Sequence, residues 1–221
     1  MKKPLVIFGA GDLAQLAHYY FSRDSEYEVR AFTLDAEFIG VPECCELPVV
    51  AFDQVADRYA PAEHAMFVAL SYSKLNRVRR EKYLAAKSLG YSMASYLSSR
   101  ASLLNDGHIG ENCFILEDNT VQPFVTIGDN VTLWSGNHIG HHSTIASHSF
   151  IASQVVVSGG VEIGEQCFIG VNATLRDHIK IGDRCVIGAG ALILGDADPD
   201  GVYIGKATER SRLPSGKLRG I

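Results

Sequence analysis

The chain has 221 residues, of which 47% are hydrophobic, and its formal net charge at pH 7 is −5. This is enough apolar material for one large core or two small ones. The 20 lysines and arginines form no long run, so nucleic acid and a basic membrane patch are not expected among its partners. No stretch approaches 18 consecutive apolar residues, and the five cysteines form no CxxC pair. We therefore expect a cytoplasmic protein with reduced thiols.

The first 35 residues predict a strand, a glycine turn, a helix and a second strand. KKPLVIFGAGDLAQLAHYYFSRD passes from an apolar strand through Gly9 and Gly11 into a helical pattern, and YEVRAFTLDAEF follows as a strand ending at Asp35. Phosphate can bind where such a turn meets a helix N-terminus. Because the third glycine of the dinucleotide fingerprint is Ala14, and about 90 residues allow only three or four parallel strands, we expect a single nucleotide rather than a complete NAD site.

A further apolar strand, HAMFVALS, precedes a predicted helix over YSKLNRVRREKYLAAKSLG. The basic residues of this helix are Lys74, Arg77, Arg79 and Arg80. Our first interpretation of these charges is a solvated helix face. In the alternative, Arg77 lies near the strand ends and helps to hold a diphosphate.

The second half of the chain carries a six-residue repeat. In steps of six from Leu97 to Ile193, each of 17 successive positions holds an aliphatic residue. This period fits neither a helix nor a flat strand, but it fits a chain that turns a corner every six residues, with three sides to an 18-residue coil. We expect two side chains of each hexad to point into the triangular coil: the aliphatic residue and the residue four places after it. Cys113, Cys167 and Cys185 occupy this second position and are expected to be buried.

This pattern resembles the left-handed parallel β-helix of the hexapeptide acyltransferase superfamily, over roughly residues 97–205. Glycine follows many of the aliphatics, as in IGEN, IGDN and IGHH, and we expect it to supply the permissive backbone of each corner. With the glycine-turn segment before it, the chain resembles the bacterial sugar acyltransferases that include bacillosamine and perosamine N-acetyltransferases and sialic-acid O-acetyltransferase-like proteins. The resemblance implies a small α/β Rossmann-like nucleotide-sugar-binding domain over 1–95. A left-handed β-helix acyltransferase domain with a C-terminal tail would follow over 96–221.

The implied reaction is acetyl transfer from acetyl-CoA to the amino group of a nucleotide-linked amino sugar, for surface-polysaccharide or glycan biosynthesis. The resemblance also implies a homotrimer with active sites between subunits, and no metal. The residue matching the family's catalytic histidine is His141, and the backbone amide one coil later, at Gly159, would donate to the thioester carbonyl. His142 stands where several relatives keep the acid that orients the base, which leaves the orienting partner of His141 open. Phe150 stands where some relatives keep a second histidine.

The resemblance implies nucleotide-sugar contacts at Gly9, Gly11, Asp12 and Asp35, and the position of Arg77 on the helix adds it to this set. For acyl-CoA, the resemblance implies Gly159. In the tail, where relatives carry G-x-P-A and this chain reads GKAT without the proline, the positive charges of Lys206 and Arg210 make them the expected contacts of the CoA phosphates.

These residues suit direct attack in a ternary complex, because a neutral histidine can take the proton and an amide can stabilise the oxyanion. Transfer to a sugar hydroxyl needs the same two groups, so it stays open, as do acyl groups longer than acetyl. A zinc enzyme resembling the γ-class carbonic anhydrases is a remote alternative. His142 and His178 have the required two-coil spacing, but the third ligand position holds Asp183. A non-catalytic trimeric scaffold is the other remote alternative.

The remaining side chains of interest in the repeat are expected on the outside. We interpret His108, His138, His148 and His178 as surface or subunit-contact residues. Trp134 follows an inward leucine, so it should point outward and be buried against a neighbouring subunit.

Overall fold

The computed structural model describes residues 2–210 and 212–217, and it begins with a six-stranded sheet. The strands are β1 (Lys3–Phe8), β2 (Tyr27–Leu34), β3 (Glu43–Cys44), β4 (Leu47–Ala51), β5 (Ala65–Val68) and β6 (Ser92–Met93). The helices are α1 (Asp12–Arg23), α2 (Val55–Arg58) and α3 (Arg77–Ser88), with short 3-10 segments at Ala36–Phe38, Phe52–Gln54 and Ser215–Lys217. The strand order is β3-β4-β2-β1-β5-β6, and every pair is parallel except β3 with β4. The sheet thus has five parallel strands rather than the three or four expected, because the short β4 and β6 extend it on both sides.

The central strand β1 has side chains buried on both faces of this sheet. Leu5 and Ile7 pack with α1 residues such as Phe21, while Val6 and Phe8 pack on the opposite face. A strand that is covered on both faces has a continuous run of apolar residues, and residues 5–8, LVIF, form such a run. None of the helices in the described residues has the length and apolarity that a bilayer span requires.

Helix α3 begins five residues later than the sequence pattern predicts. Lys74, Leu75 and Asn76 have φ angles of 49°, 53° and 62°, in the left-handed region. L-residues cannot continue a right-handed helix in that conformation. The Asn76 side chain is buried, and its Nδ2 donates a hydrogen bond to the carbonyl of Cys167 at 3.0 Å. The turn before α3 is therefore fixed by a contact with the repeat region, more than 90 residues away along the chain.

The rest of the fold is a left-handed parallel β-helix, in which the six-residue repeat predicts the triangular coil and the resemblance implies the hand. Side one consists of β7 (Tyr96–Leu97), β9 (Phe114–Ile115), β12 (Thr132–Leu133), β15 (Phe150–Ile151), β18 (Phe168–Ile169), β21 (Val186–Ile187) and β23 (Val202–Tyr203). Side two consists of β8 (Ser102–Leu103), β10 (Thr120–Val121), β13 (His138–Ile139), β16 (Val156–Val157), β19 (Thr174–Leu175) and β22 (Leu192–Ile193). Side three consists of β11 (Thr126–Ile127), β14 (Thr144–Ile145), β17 (Glu162–Ile163) and β20 (Lys180–Ile181). From β7 to β19 each strand pairs in parallel with the strand 18 residues later, as His138 does with Val156, and the last pair, β21 with β23, is offset by 16 residues.

The prism interior follows the predicted six-residue register over most of its length. Every aliphatic stop from Ile115 to Ile193 is buried, and the cysteines at the second inward position are fully buried, which confirms the prediction for all three. The prediction is wrong at the start of the repeat, where Leu97 is 39% exposed and Leu103 and Ile109 are only partly buried. Strands β7 and β8 each have a neighbouring coil on one side only, so the first coil leaves its inward side chains partly open.

The corners differ from the expectation that glycine supplies their permissive backbone. Every sixth residue from Asn112 to Gly190 has a positive φ, and most of these residues are not glycine. The glycines after the aliphatics are needed for a different reason, which is space. A Cβ on Gly128 would lie 2.8 Å from the Ser147 nitrogen, closer than two such atoms can approach. These glycines allow one coil to pack directly against the next.

The sheet and the prism are joined through Arg79, which is only 1% exposed. Its guanidinium donates to Thr132 Oγ1 at 2.6 Å and to the carbonyls of His148 and Ser149 at 3.2 and 3.1 Å. It also lies over the Phe150 ring at 5.6 Å. A solvated face was therefore the wrong interpretation for this residue, because α3 turns this side chain toward side one of the prism.

The repeat histidines fall into two groups. His108, His138 and His178 are exposed, as expected for surface residues. The expectation for His148 is wrong, because this side chain is only 7% exposed and its Nδ1 lies 3.0 Å from Asn130 Nδ2. His148 continues a ladder of buried corner side chains that begins at Asn112, and the N-terminal sheet covers that corner.

Candidate active site

His141 and Gly159 meet at the corner between sides two and three. The His141 side chain is exposed, and its backbone N–H donates to Gln122 Oε1 at 2.9 Å. A Cβ built on Gly159 would lie 2.7 Å from Cε1 and 2.9 Å from Nε2 of His141. The imidazole therefore lies directly over the Gly159 backbone, in space that exists only because residue 159 is glycine.

The backbone between the two coils leaves one donor free at this point. The Gly160 N–H donates to the His141 carbonyl at 2.8 Å, and the Gly159 carbonyl accepts from the His178 N–H at 3.0 Å. Within the described part of the chain, no acceptor is hydrogen-bonded to the Gly159 N–H. An imidazole and an unpaired amide thus lie side by side, which provides a proton acceptor and a donor for a developing negative charge.

His142 contacts His141 through the ring nitrogens. The two Nδ1 atoms lie 3.0 Å apart, and the ring planes are nearly perpendicular, at 87°. The His142 backbone has a φ of 59°, the corner conformation of the prism, and its N–H donates to the Pro123 carbonyl. The Phe124 ring, one coil earlier, packs against the His142 ring with 4.7 Å between centroids.

A cavity of about 770 Å³ lies between the start of α1 and the corner that joins sides one and two. It is lined by Asp12, Leu13, Leu16, Ser71, Tyr72, Trp134, Phe150, Ala152, Ser153, Phe168, Gly170, Val171 and Ala189. Its wall is mostly apolar and aromatic, with the Phe150 and Phe168 rings stacked at 5.8 Å. His141 and Gly159 do not line this cavity, because they occupy a different corner of the same prism.

Asp12 is the predicted nucleotide-binding residue that this cavity contains. Gly9 lies behind it with a φ of 122°, and a Cβ there would meet the Ala69 carbonyl oxygen at 2.8 Å, so the turn requires glycine. A Cβ on Gly11, by contrast, would meet no atom within 4 Å. The entrance to α1 is therefore open on the Gly11 side.

The two other predicted nucleotide contacts lie outside the cavity. Asp35 follows β2 and forms an ion pair with Lys82 at 2.6 Å, a partner that the sequence pattern did not indicate. Arg77 is exposed at the start of α3, with Glu81 3.7 Å away. Neither residue lines the cavity that contains Asp12, so the predicted nucleotide residues do not share one pocket.

A second cavity, of about 570 Å³, continues along the same corner. It is lined by Gly190–Ile193 and by residues 202–206, which include the predicted CoA contact Lys206. Because Ala189 lines the first cavity and Gly190 the second, the two adjoin. Arg210 is exposed beyond this point and lines neither cavity.

Sequence reasoning missed Tyr72 and Phe168 as site residues, and it placed Trp134 only in part. Trp134 points outward as predicted, but it packs against its own N-terminal sheet region and lines the cavity. Tyr72 lies in the turn before α3, where no repeat applies. A signal for Phe168 was present, since it stands 18 residues after Phe150 at the same outward position.

No three histidine, cysteine or acidic side chains lie close enough to share a metal ion within residues 2–210 and 212–217. His142, one of the two histidines with zinc-site spacing, contacts His141 through Nδ1.

Comparison with known proteins agrees with this architecture. The family model for the bacterial transferase hexapeptide, of six repeats, matches residues 106–140 and 160–195. No curated protein matches the sequence. Among solved structures, a mutant perosamine N-acetyltransferase from Caulobacter crescentus, in complex with CoA and GDP-perosamine, has a TM-score of 0.82 at 23% identity. That match covers 91% of this chain and 93% of the other.

Two further solved structures share the fold at similar levels of identity. The acetyltransferase domain of PglB from Neisseria gonorrhoeae has a TM-score of 0.79 at 22% identity, covering 90% of this chain and 95% of that chain. WeeI from Acinetobacter baumannii has a TM-score of 0.77 at 19% identity, covering 92% and 97%. Two stretches of the prism thus match the bacterial transferase hexapeptide model, and about nine-tenths of the chain shares the fold of these three proteins.

Proposed function

We propose that this chain is an acetyl-CoA-dependent N-acetyltransferase that acts on a nucleotide-linked amino sugar. The observation that carries the proposal is the exposed His141 imidazole beside the unpaired Gly159 N–H. The comparisons add support, since the Caulobacter protein of the same fold is named a perosamine N-acetyltransferase and holds CoA and GDP-perosamine.

The chemistry follows from these two groups. The acceptor nitrogen attacks the thioester carbonyl carbon, and its proton passes to Nε2 of His141. The Gly159 N–H donates to the oxyanion that forms at the carbonyl oxygen. Collapse of this intermediate breaks the carbon–sulfur bond, and the leaving CoA thiolate takes up the proton that His141 accepted, which restores the base. An acyl-cysteine route has no support, because the three cysteines of the prism are fully buried, and Cys44 and Cys45 line neither cavity.

The site as proposed is shared between two copies of the chain in a homotrimer. On one copy the aromatic cavity lies at the corner of sides one and two, while His141 lies at the corner of sides two and three. A base and an acceptor pocket on different corners of one prism can serve the same reaction when a neighbouring copy brings its own His141 to the cavity.

We assign the two adjoining cavities to the substrates. The sugar and the acyl group would meet beside Phe150, and the rest of CoA would extend along the corner toward Lys206 and Arg210. The nucleotide would lie at the start of α1, against Gly11 and Asp12, with Asp35 and Arg77 outside the cavity. A mostly apolar wall suits the ring face of a sugar and the acyl methyl group. We expect the reaction to take place in the cytoplasm.

The test is to incubate the purified protein with acetyl-CoA and a panel of nucleotide-linked amino sugars, and to follow CoA release. Matched nucleotide sugars with a hydroxyl in place of the amine form the second arm. Release with an amino sugar, together with an acetamide in the product by mass spectrometry, is the expected result. Release with hydroxyl acceptors alone would replace N-acetylation by O-acetylation, and no release with either class would refute the proposal.

The base is tested separately with His141→Asn. We expect kcat to fall by about 10² or more, the scale of general-base catalysis, while the oligomer measured by sedimentation stays as in the wild type. His138→Asn, on an exposed side chain three residues earlier, is the matched control. Wild-type turnover by His141→Asn would remove His141 from the mechanism.

A further inference from the structure

The contact between His141 and His142 raises the question of which ring donates the proton. Their Nδ1 atoms are 3.0 Å apart. A hydrogen bond at that distance needs one N–H and one lone pair, so one of the two Nδ1 atoms carries a hydrogen and the other does not. A neutral imidazole has a hydrogen on only one of its nitrogens. The state of Nδ1 on each ring therefore determines the state of its Nε2.

We propose that His142 is the positioning residue of the active site, and that its Nδ1 accepts a hydrogen bond from Nδ1–H of His141. This proposal rests on the proposed function, because transfer requires a free lone pair on Nε2 of His141. Only the tautomer with hydrogen on Nδ1 leaves that lone pair available. His142 would then carry its own hydrogen on Nε2. His142 thus takes the role of the acid that several relatives keep at this position.

The surroundings hold His142 in the orientation that this role needs. Its ring packs against Phe124, and its N–H is bonded to the Pro123 carbonyl, so the ring is fixed from the coil below. His141 is held in the same way, since its N–H is bonded to Gln122 Oε1 and its ring lies over Gly159. Among the described residues, no carboxylate is hydrogen-bonded or ion-paired to either ring, so His142 is the available acceptor.

Two substitutions of His142 distinguish the effect of its hydrogen-bond acceptor from the effect of its ring shape. His142→Phe keeps a ring and removes the acceptor, whereas His142→Asn places an amide oxygen where Nδ1 was. Both should fold, because the same left-handed corner position already holds a phenylalanine at residue 124 and an asparagine at residue 130, with φ angles of 66° and 55°.

We expect His142→Phe to lower kcat by about tenfold or more, with unchanged KM for both substrates, because the base loses its orientation but the binding surfaces stay. His142→Asn should retain kcat to within about threefold of the wild type, because an acceptor remains. Wild-type kcat in His142→Phe, or an equal loss in both variants, overturns the proposal.

A measurement that does not depend on turnover tests the role of His142 separately from the proposed function. Long-range proton–nitrogen NMR on protein labelled with ¹⁵N-histidine reports which ring nitrogen is protonated, and His141→Asn identifies the His141 signals by their loss. We expect hydrogen on Nδ1 of His141 in the wild type, and a shift toward Nε2 in His142→Phe. Hydrogen on Nε2 in the wild type overturns the positioning role even where acetyl transfer is observed. The Nδ1–H form in a protein that transfers no acetyl group refutes the proposed function alone.

Discussion

At Gly159, a single added methyl group should lower the rate of catalysis without disturbing the fold. Its φ is outside the left-handed region, so alanine can adopt the backbone, but the new Cβ would lie 2.7 Å from the His141 ring. We expect Gly159→Ala to displace the base and lower kcat by about 10², because small misplacements of a reacting group have effects of this size. Steady-state kinetics measures the change, and circular dichroism checks the fold.

The control for this substitution is Gly195→Ala, because a Cβ on Gly195 would meet no atom within 4 Å. It should leave kcat unchanged. A Gly159→Ala protein with wild-type kcat would show that the imidazole does not need its place over residue 159.

His148 should make the stability of the protein depend on pH. Burial, together with the positive charges of Arg80 and Arg79, lowers the pKa of His148 from 6.5 to about 4. Between these two pH values the unfolded chain binds a proton that the folded chain does not. The contribution of neutral His148 to the free energy of unfolding is therefore fully present above pH 6.5 and is lost as the pH falls toward 4. The loss should be on the order of 2–3 kcal/mol.

Denaturant midpoints measured between pH 7 and pH 4.5 test this prediction. His148→Asn should flatten the pH dependence, because an amide does not titrate but can still accept the hydrogen bond from Asn130 Nδ2. His178→Asn is the matched control, since His178 is exposed at the equivalent corner position, and it should keep the wild-type slope. Equal slopes in all three proteins would contradict the prediction.

At the scale of elements, Arg79 connects α3 to the prism. Burial lowers its pKa to about 10, so the guanidinium stays charged at neutral pH, held by hydrogen bonds to Asn76, Thr132 and two carbonyls. Arg79→Leu would leave these buried acceptors without a donor. We expect a loss of about 3 kcal/mol in the free energy of unfolding, measured by urea denaturation.

Arg77→Leu changes an exposed arginine on the same helix and is the matched control for Arg79→Leu. Its effect should stay within about 0.5 kcal/mol, as for other surface substitutions. A similar small effect of Arg79→Leu would mean that the buried contacts do not stabilise the junction.

The elements also show which parts of the fold a local sequence pattern can predict. The six-residue register predicts the prism from Ile115 onward, because the environment of each inward position depends on its own coil and on the coils of the same register on either side. The start of α3 was mispredicted, because the left-handed Lys74–Asn76 turn is fixed by contact with the prism. Helical periodicity cannot signal a contact with a residue that is 91 positions away.

At the scale of the whole molecule, the proposed sharing of the site between copies can be tested by complementation. A chain with His141→Ala lacks the base, and a chain with Ala152→Trp fills the cavity. Each should be inactive alone. When both are co-expressed and mix at random, about a quarter of the sites combine an intact cavity with an intact base, so about a quarter of wild-type activity should return.

The activity of the purified mixed oligomer, relative to each parent, is the measurement. The two parents purified separately and combined without subunit exchange are the control, and they should stay inactive. Absence of activity in mixed oligomers would show that the cavity and the base of the reaction belong to one chain.

The amino-acid sequence by itself determined the prism, the buried cysteines and the outward position of His141, because a repeat of fixed period repeats its environment at every coil. It also indicated the strand, turn and helix around Gly9, where the positive φ of the turn requires glycine. These features depend on residues close in sequence or exactly one coil apart.

Only the tertiary structure decided the features that join distant segments. It buried Arg79 and His148 where α3 meets the prism, and it formed the aromatic cavity from α1, the Tyr72 turn and side one. It also brought Nδ1 of His142 to His141, since the corner conformation of the backbone sets the direction of each ring. The physical reason is the same in each case: burial and side-chain direction depend on which surfaces meet, and neither period nor composition specifies that.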